Sequence, residues 1–265
     1  MDEYLQERNV ANNTASGYDS VYDRLLGYTK RWDKICNIVE KYTNSKQEKL
    51  LEIGCGTGAF INQLLTRGYN KLYGCDISDK VLEIAQKKNP GSHLTQANMI
   101  HLPYVNNFFD TVFYMGSLHH LEDISLALAE GFRVLKPGGK LIICEGNKDF
   151  TSKKPDLFTK IVYKIFYIKN EKYRKKWRMN PHDPENYTEY HDQKSENDFV
   201  NSGIAFGSHI TTHRFEHFTT KFEGVLFNAS PLDRLIYAIF NRIDNIMANR
   251  MKTKSTLIIV FCKNE

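Results

Sequence analysis

The chain has 265 residues, of which 41% are hydrophobic and 25% are charged, and its formal net charge is +5 at pH 7. This composition predicts a globular protein with a sizeable core and excludes a mainly disordered chain. The sequence has no apolar run long enough to cross a bilayer and no apolar signal region at its start, so neither a transmembrane segment nor secretion is expected.

Strand-like and helix-like segments alternate along the chain. Residues 17–42 carry apolar side chains at helical spacing, with a break near Gly27. The elements expected after them are strand Lys49–Ile53, helix Gly58–Arg67, strand Lys71–Cys75, helix Asp79–Lys88, strand His93–Gln96, strand Phe109–Met115, helix Asp123–Leu135, a turn at 136–139, strand Lys140–Glu145, a strand within 209–220, helix Pro231–Met247 and strand Ser255–Cys262. The alternation indicates a doubly wound α/β fold whose ligands bind at the carboxyl ends of the strands.

The first strand runs into a glycine-rich turn with the sequence LLEIGCGTG (50–58), and Asp76 ends the second strand. Glycines let the backbone approach a ligand, the following helix offers free N–H groups, and the acid can accept hydrogen bonds from a ribose. This pattern predicts a cofactor that contains a nucleoside. The turn also fits the dinucleotide fingerprint G-x-G-x-x-G/A, so an NAD-type cofactor stays open at this point. Glu52 favours a positively charged ligand without a pyrophosphate, such as S-adenosylmethionine.

Four stretches occur in order: LEIGCGTG (51–58), GCDIS (74–78), QANMIHLPYVNNFFDTVFYMGSLHHLED (96–123) and GFRVLKPGGKLIICE (131–145). Over about residues 17–146 they resemble the motifs of class I S-adenosylmethionine-dependent methyltransferases of the UbiE/type 11 group. The resemblance implies a seven-stranded, mainly parallel, Rossmann-like sheet with an antiparallel last strand. It also implies one domain over 1–265. The parts of this domain are cap helices at 17–45, a cofactor-binding core at 48–146, a basic, aromatic insertion or lid at 148–190, and the rest of the sheet at 191–265.

The resemblance makes S-adenosyl-L-methionine the expected cofactor. The implied cofactor-binding residues are Glu52, Gly54, Gly56, Gly58, Asp76, Ile77, Asn98, Met99 and Met115. In this scheme Asp76 binds the ribose, although it could instead only cap the next helix. Position 98 is Asp in many members, and Asn can still meet the purine edge because an amide both donates and accepts.

His119 and His120 follow the fourth strand, where the family places its methyl acceptor. Histidine can remove a proton from a hydroxyl or an amine, so His119 is the candidate catalytic residue and Glu145 a second candidate. The alternative is that no base is needed, because sulfonium is a good leaving group and alignment of donor and acceptor does most of the work.

Residues 148–178 hold eleven Lys/Arg and three Asp/Glu, a net charge of +8, which leaves −3 for the rest of the chain. Leu157–Phe166 places apolar residues on one helical face, with lysines beside it. The segment could be a lid over the acceptor, a helix packed on the core, a membrane-surface helix or an RNA-facing patch. Nucleic-acid binding is disfavoured, and peripheral membrane contact through 153–178 remains an alternative.

Two further patterns favour a cytoplasmic protein without a metal site. The five cysteines are scattered and include no C-x-x-C pair, so we expect reduced thiols. His209, His213 and His217 have helical spacing, but their segment favours a strand, on which residues four apart lie about 13 Å from each other.

The expected function is therefore methyl transfer to an oxygen, nitrogen or carbon of a small-molecule acceptor by in-line displacement. Two alternatives stay open: methylation of a lipid-linked or RNA acceptor through the basic segment, and a non-catalytic, cofactor-binding partner subunit. The identity of the acceptor and the oligomeric state are not readable from the residues.

Overall fold

Seven strands form one sheet in the order β3-β2-β1-β4-β5-β7-β6. This computed structural model describes residues 8–13, 26–151, 157–172, 194–215, 226–246 and 255–264. The strands are β1 Lys49–Ile53, β2 Lys71–Asp76, β3 His93–Gln96, β4 Phe109–Met115, β5 Leu135–Gly146, β6 Gly207–Phe215 and β7 Thr256–Lys263. Pairing is parallel from β3 to β5, whereas β7 runs antiparallel to both β5 and β6. The predicted fold class is confirmed.

Helices cover both faces of the sheet. The helices of the described residues are α1 at 8–13, α2 Leu26–Val39, α3 Ala59–Thr66, α4 Asp79–Lys88, a 3₁₀ turn Leu118–His120, α5 Ser125–Val134, α6 Lys148–Thr151, α7 Leu157–Lys169, α8 Glu196–Ile204 and α9 Pro231–Ile246. Apolar side chains of α2, α3 and α4 pack on one face, and those of α5 and α8 pack on the other. Successive residues of a strand pack in the hydrophobic cores on opposite faces of the sheet, as Val112 and Phe113 of β4 do.

The helix after β2 begins and ends where the sequence predicts. Ser78 caps it, because its Oγ accepts a hydrogen bond from the backbone N–H of Val81 at 3.2 Å. Asp79 lies in the first turn and Lys87 and Lys88 in the last, as the helix dipole favours. These local signals agree, so no distant contact is needed to set the ends of this helix.

The fifth strand starts earlier than predicted. Leu135 already pairs with Phe109, and pairing resumes at Lys140 opposite Thr111. The four residues between them, the predicted Lys136–Gly139 turn, form an irregularity within β5 in which Gly138 has a φ of +74°. The Pro-Gly-Gly sequence therefore does mark a break in the pairing of β5 with β4, but this break lies inside β5 and not before it.

The histidines of β6 do not converge. His209 pairs with Phe261 and His213 with Ile258, because a bulge at Ile210 adds one residue to β6. The bulge puts the two imidazoles on opposite faces of the sheet: His209 makes an edge-on contact with Phe261, whereas His213 contacts Tyr42. His217 lies outside the described residues, and within the described residues no group of His, Cys, Asp and Glu could hold a metal ion.

A buried carboxylate joins α7 to α9. Asp233 of α9 has no exposed surface, and it accepts hydrogen bonds from Lys169 Nζ at 2.5 Å, Asn170 Nδ2 at 2.6 Å and the Phe227 backbone N–H at 3.0 Å. Phe166 of α7 and Tyr237 of α9 pack in a small apolar cluster beside this carboxylate. The two helices are thus held together by both polar and apolar contacts.

Among the helices of the described ranges, none combines the length and the apolar character needed to span a membrane.

Candidate functional site

The glycine turn lies between the ends of β1, β2 and β4. Gly54, Gly56 and Gly58 have φ values of +72°, +49° and +73°, which side chains rarely adopt. A Cβ on Gly54 would lie 2.4 Å from Ser117 Cβ, and one on Gly58 would lie 2.4 Å from Asn89 Nδ2. A Cβ on Gly56 would meet no protein atom within 4 Å. Two of the glycines therefore allow close packing inside the protein, and Gly56 is the one that faces open space.

Glu52 is buried at the end of β1, with only 4% of its surface exposed. Its Oε2 atom has no hydrogen-bond partner among the residues that the structure describes. Burial, and then the nearby charge of Asp76, raise the pKa of this carboxyl well above its ordinary value. An orphaned carboxylate at a ligand-facing strand end is costly in the free protein, and a cationic ligand group would relieve that cost.

Asp76 holds the turn from the next strand. Its Oδ2 accepts the Gly56 N–H at 2.8 Å and its Oδ1 accepts the Ser78 N–H at 3.0 Å. Burial raises the pKa of Asp76, and these two hydrogen bonds oppose the shift. The alternative that Asp76 caps the following helix is wrong, because Ser78 is the cap.

Residues after β2 and β3 line the same edge of the sheet. The carbonyl of Ile77 accepts a hydrogen bond from Gln96 Nε2 at 3.0 Å, which ties the loop after β2 to the end of β3. Asn98 Oδ1 accepts a hydrogen bond from the Ile100 N–H at 3.1 Å. Met99 is half-buried against the core beneath α5.

The end of β4 is fastened to the end of β1. Ser117 Oγ donates to the Ile53 carbonyl at 2.9 Å, and the Gly116 N–H donates to the Cys144 carbonyl at 2.8 Å. Met115, the last residue of β4, is partly buried against the core on the α3 side of the sheet. The sequence places Ser117 just after the fourth strand, near the expected reacting end of the cofactor, but only the three-dimensional structure reveals its contact with Gly54.

His119 and Glu145 form a hydrogen-bonded pair beside this junction. The His119 Nδ1 atom lies 3.0 Å from Glu145 Oε2, and Glu145 Oε1 accepts the Leu118 N–H at 2.7 Å. Glu145 is 4% exposed, whereas a quarter of the His119 side chain reaches solvent. The two candidates that the sequence offered separately thus belong to one unit: a buried carboxylate that orients a partly exposed imidazole. The neighbouring His120 ring lies 4.3 Å from that of His119.

Helix α1 contacts the start of α4 at this edge. Arg8 forms an ion pair with Asp79 at 3.2 Å, and Asn12 accepts a hydrogen bond from Ser78 Oγ. The sequence predicted cap helices at 17–45, and residues 17–25 of that range lie outside the described residues. Nothing in the sequence around Arg8 marked it as a partner of α4.

Residues 51–143 match the Methyltransf_11 family, described as a methyltransferase domain. Over 141 residues the chain is 37% identical to an uncharacterized protein of Methanocaldococcus jannaschii, covering 52% of this chain and 59% of that one. Over 168 residues it is 32% identical to the ubiquinone/menaquinone biosynthesis C-methyltransferase UbiE of Wigglesworthia glossinidia brevipalpis, covering 60% and 64%. The chain thus spans less than two thirds of the length of these relatives.

Solved structures share the fold over nearly the whole chain. The [4+2]-cyclase SpnF superposes with a TM-score of 0.66 at 18% identity, covering 98% of this chain and 97% of that one. A putative sarcosine dimethylglycine methyltransferase from Galdieria sulphuraria gives 0.57 at 15% identity, covering 89% and 86%. The resemblance to class I methyltransferases that the sequence motifs indicated is confirmed.

Proposed function

We propose that this chain, whose residues 51–143 match a methyltransferase domain, transfers a methyl group from S-adenosylmethionine to a small-molecule acceptor. The observation that carries the proposal is the position of two buried carboxylates. Glu52 lies beside an open glycine turn, and Glu145 lies at the end of β5 with His119. One end of the sheet thus offers a cofactor cradle and an adjacent proton acceptor.

The residues present fit S-adenosylmethionine. The orphaned Oε2 of Glu52 suits a cationic ligand, and the open face of Gly56 leaves room for close approach. Asp76 Oδ1 and Oδ2 each keep a lone pair for a ribose hydroxyl after accepting one backbone N–H. Ile77, Asn98 and Met99 would flank the adenine, and Met115 would lie near the reacting end. When bound, the cofactor supplies an electrophilic methyl group on a sulfonium.

His119 is the proposed base. With Nδ1 donating to Glu145, the imidazole presents its basic Nε2 lone pair, and the carboxylate stabilises the imidazolium that forms once a proton is accepted. This pairing favours an acceptor whose nucleophilic atom carries a proton in the resting state. The similarity to UbiE, a C-methyltransferase of ubiquinone/menaquinone biosynthesis, favours a carbon acceptor on a quinone-like ring, and oxygen and nitrogen acceptors remain within the proposal.

The proposal predicts that Gly56→Arg abolishes cofactor binding. An arginine there would fill the open space against the turn and place a cation where Glu52 favours one from the ligand. Titration calorimetry with S-adenosylmethionine measures the loss. Gly138→Arg is the matched control, since Gly138 has the same positive φ and open surroundings but lies at the opposite end of β5.

Transfer of a labelled methyl group to a panel of phenols, amines and quinols tests the activity itself. Cofactor binding without transfer to any acceptor would favour the non-catalytic partner subunit. A wild-type chain that binds no S-adenosylmethionine would overturn both readings.

A further inference from the structure

Two neighbouring helices expose apolar side chains that the fold leaves uncovered. Of the thirteen large apolar side chains that are exposed in the described part of the chain, eight lie on α7 and α9. On α7 these are Leu157, Ile161, Ile165 and Ile168, each between 52% and 73% exposed. Their spacing of four, four and three residues puts them on one helical face, opposite Phe166, which packs on α9.

Helix α9 has a similar stripe of exposed apolar side chains, opposite its buried face. Leu232, Leu235, Ile239 and Ile246 are each between 46% and 66% exposed, whereas Tyr237 on the other side of the helix is buried against α7. Both helices therefore bury one apolar face against each other and present a second one to the outside. Packing on the core explains one apolar face of a helix but not a second, exposed one, and exposed apolar patches of this kind mark interaction surfaces.

The exposed charges on both helices are all positive. Helix α7 contains no acidic residue, and the two acids of α9, Asp233 and Asp244, are buried. Lys160 and Lys164 border the apolar stripe of α7, and Arg242 borders that of α9. Apolar residues flanked only by cations are typical of helices that lie in the headgroup region of an anionic bilayer.

The Asp233 contacts give this surface a defined shape. Lys169 and Asn170 at the end of α7 bind that carboxylate, so the two helices are held in a fixed orientation and form one continuous surface. The only cation of α7 that an acid of α9 neutralises is Lys169, among the residues described. Lys160 and Lys164 keep their positive charge on the outer side.

We propose that α7 and α9 form a docking surface for an anionic phospholipid bilayer, into which the two apolar stripes insert to headgroup depth while Lys160, Lys164 and Arg242 contact lipid phosphates. This surface lies outside the cofactor cradle, and its lipid binding is independent of the proposed methyl transfer.

Co-sedimentation of the full chain with vesicles tests the surface directly. We expect binding to vesicles of phosphatidylcholine with about one third phosphatidylglycerol, weakening as salt is raised, and much weaker binding to phosphatidylcholine alone. The double variant Lys160→Glu/Lys164→Glu should weaken partitioning roughly thirty-fold or more, because each lysine near an anionic surface is worth about 1 kcal/mol. Ile161→Gln/Ile165→Gln should weaken it comparably while leaving the charge unchanged.

Matched controls separate lipid contact from folding and from net charge. Lys71→Glu/Lys87→Glu makes the same charge change at exposed positions on the β2 and α4 side of the sheet and should bind vesicles like wild type. All variants should keep the wild-type thermal midpoint and the wild-type affinity for S-adenosylmethionine. Loss of that affinity in every protein, wild type included, would count against the proposed function and leave the lipid result standing.

Two outcomes would overturn the proposal. One is a wild-type chain that ignores anionic vesicles at low salt. The other is a set of α7 variants that bind vesicles as tightly as wild type, and loss of self-association or of RNA binding in those variants would then identify the true occupant of the surface.

Discussion

Glu145 serves two groups at once, and a single substitution can separate the two roles. A glutamine can still accept the Leu118 N–H through its Oε1 atom, so the turn at 118–120 should survive. Its NH₂ group would donate to His119 Nδ1 and force the proton onto Nε2, which removes the basic lone pair. We expect Glu145→Gln to lower kcat about 100-fold and to remove the base-dependent limb of the pH–rate profile.

A purely structural Glu145 predicts a different result. In that case Glu145→Gln would leave the pH profile unchanged and alter only the thermal midpoint. His119→Gln, which keeps the backbone of the turn, should reproduce the kinetic defect if the imidazole is the base.

We expect Glu52 to make cofactor affinity depend on pH. Its pKa is raised by burial, so above the ordinary glutamate range part of the free protein still holds this proton, and the folded state loses stability as pH rises through the raised value. A cationic ligand favours the ionised form, so binding should release protons and tighten as pH increases. Calorimetry in buffers of different ionisation enthalpy counts these protons. Glu52→Gln should reduce the count, and an unchanged count would place the ligand's positive charge elsewhere.

At the scale of elements, the joint between α7 and α9 depends on one carboxylate. Asp233→Ala leaves the Phe227 N–H and the amide of Asn170 without their acceptor inside the protein. We expect the free energy of unfolding to fall by about 2–4 kcal/mol, measured by urea denaturation. Glu83→Ala, an exposed acid on α4, should stay within about 0.5 kcal/mol of wild type, and an equal effect of both changes would contradict a special role for Asp233.

Local sequence signals predicted most elements because they agree with the packing. The bounds of β1, β3, β4 and α4 coincide with the prediction. In each of these elements the local apolar run or helix cap specifies the same bounds as the packing in the folded sheet. The errors occur where pairing with a distant strand decides. The early pairing of Leu135 with Phe109 and the bulge at Ile210 are both set by partner strands and leave no trace in the local pattern.

The site was predictable to the same extent. Strand ends in an α/β sheet meet at one edge, so Glu52, Asp76, Asn98 and His119 could be placed together from their positions alone. The hydrogen bond between His119 and Glu145 and the contact of Gly54 with Ser117 could not, because each joins residues on different strands whose side-chain directions depend on register.

At the scale of the whole molecule, burial protects the thiols. Burial raises the pKa of Cys36 to about 11, and Cys55, Cys75 and Cys144 are also buried, whereas Cys262 is half-exposed. We expect the folded protein to react with about one equivalent of an aromatic disulfide reagent at neutral pH, and with all five cysteines in denaturant. Rapid reaction of several thiols in the folded state would show that the interior opens more readily than this packing implies.

The contact between Gly54 and Ser117 makes these positions intolerant of substitution, whereas other parts of the chain can vary. Because a Cβ at Gly54 would overlap Ser117, and Ser117 in turn donates to the Ile53 carbonyl, the ends of β1 and β4 are held at one spacing. Selection for a new acceptor would then have to act outside this junction, for example in the insertion that the sequence predicts at 148–190, and leave the junction as it is. A directed-evolution library confined to that insertion should yield altered substrate preference, while a library at positions 54 and 117 should mostly yield unfolded protein.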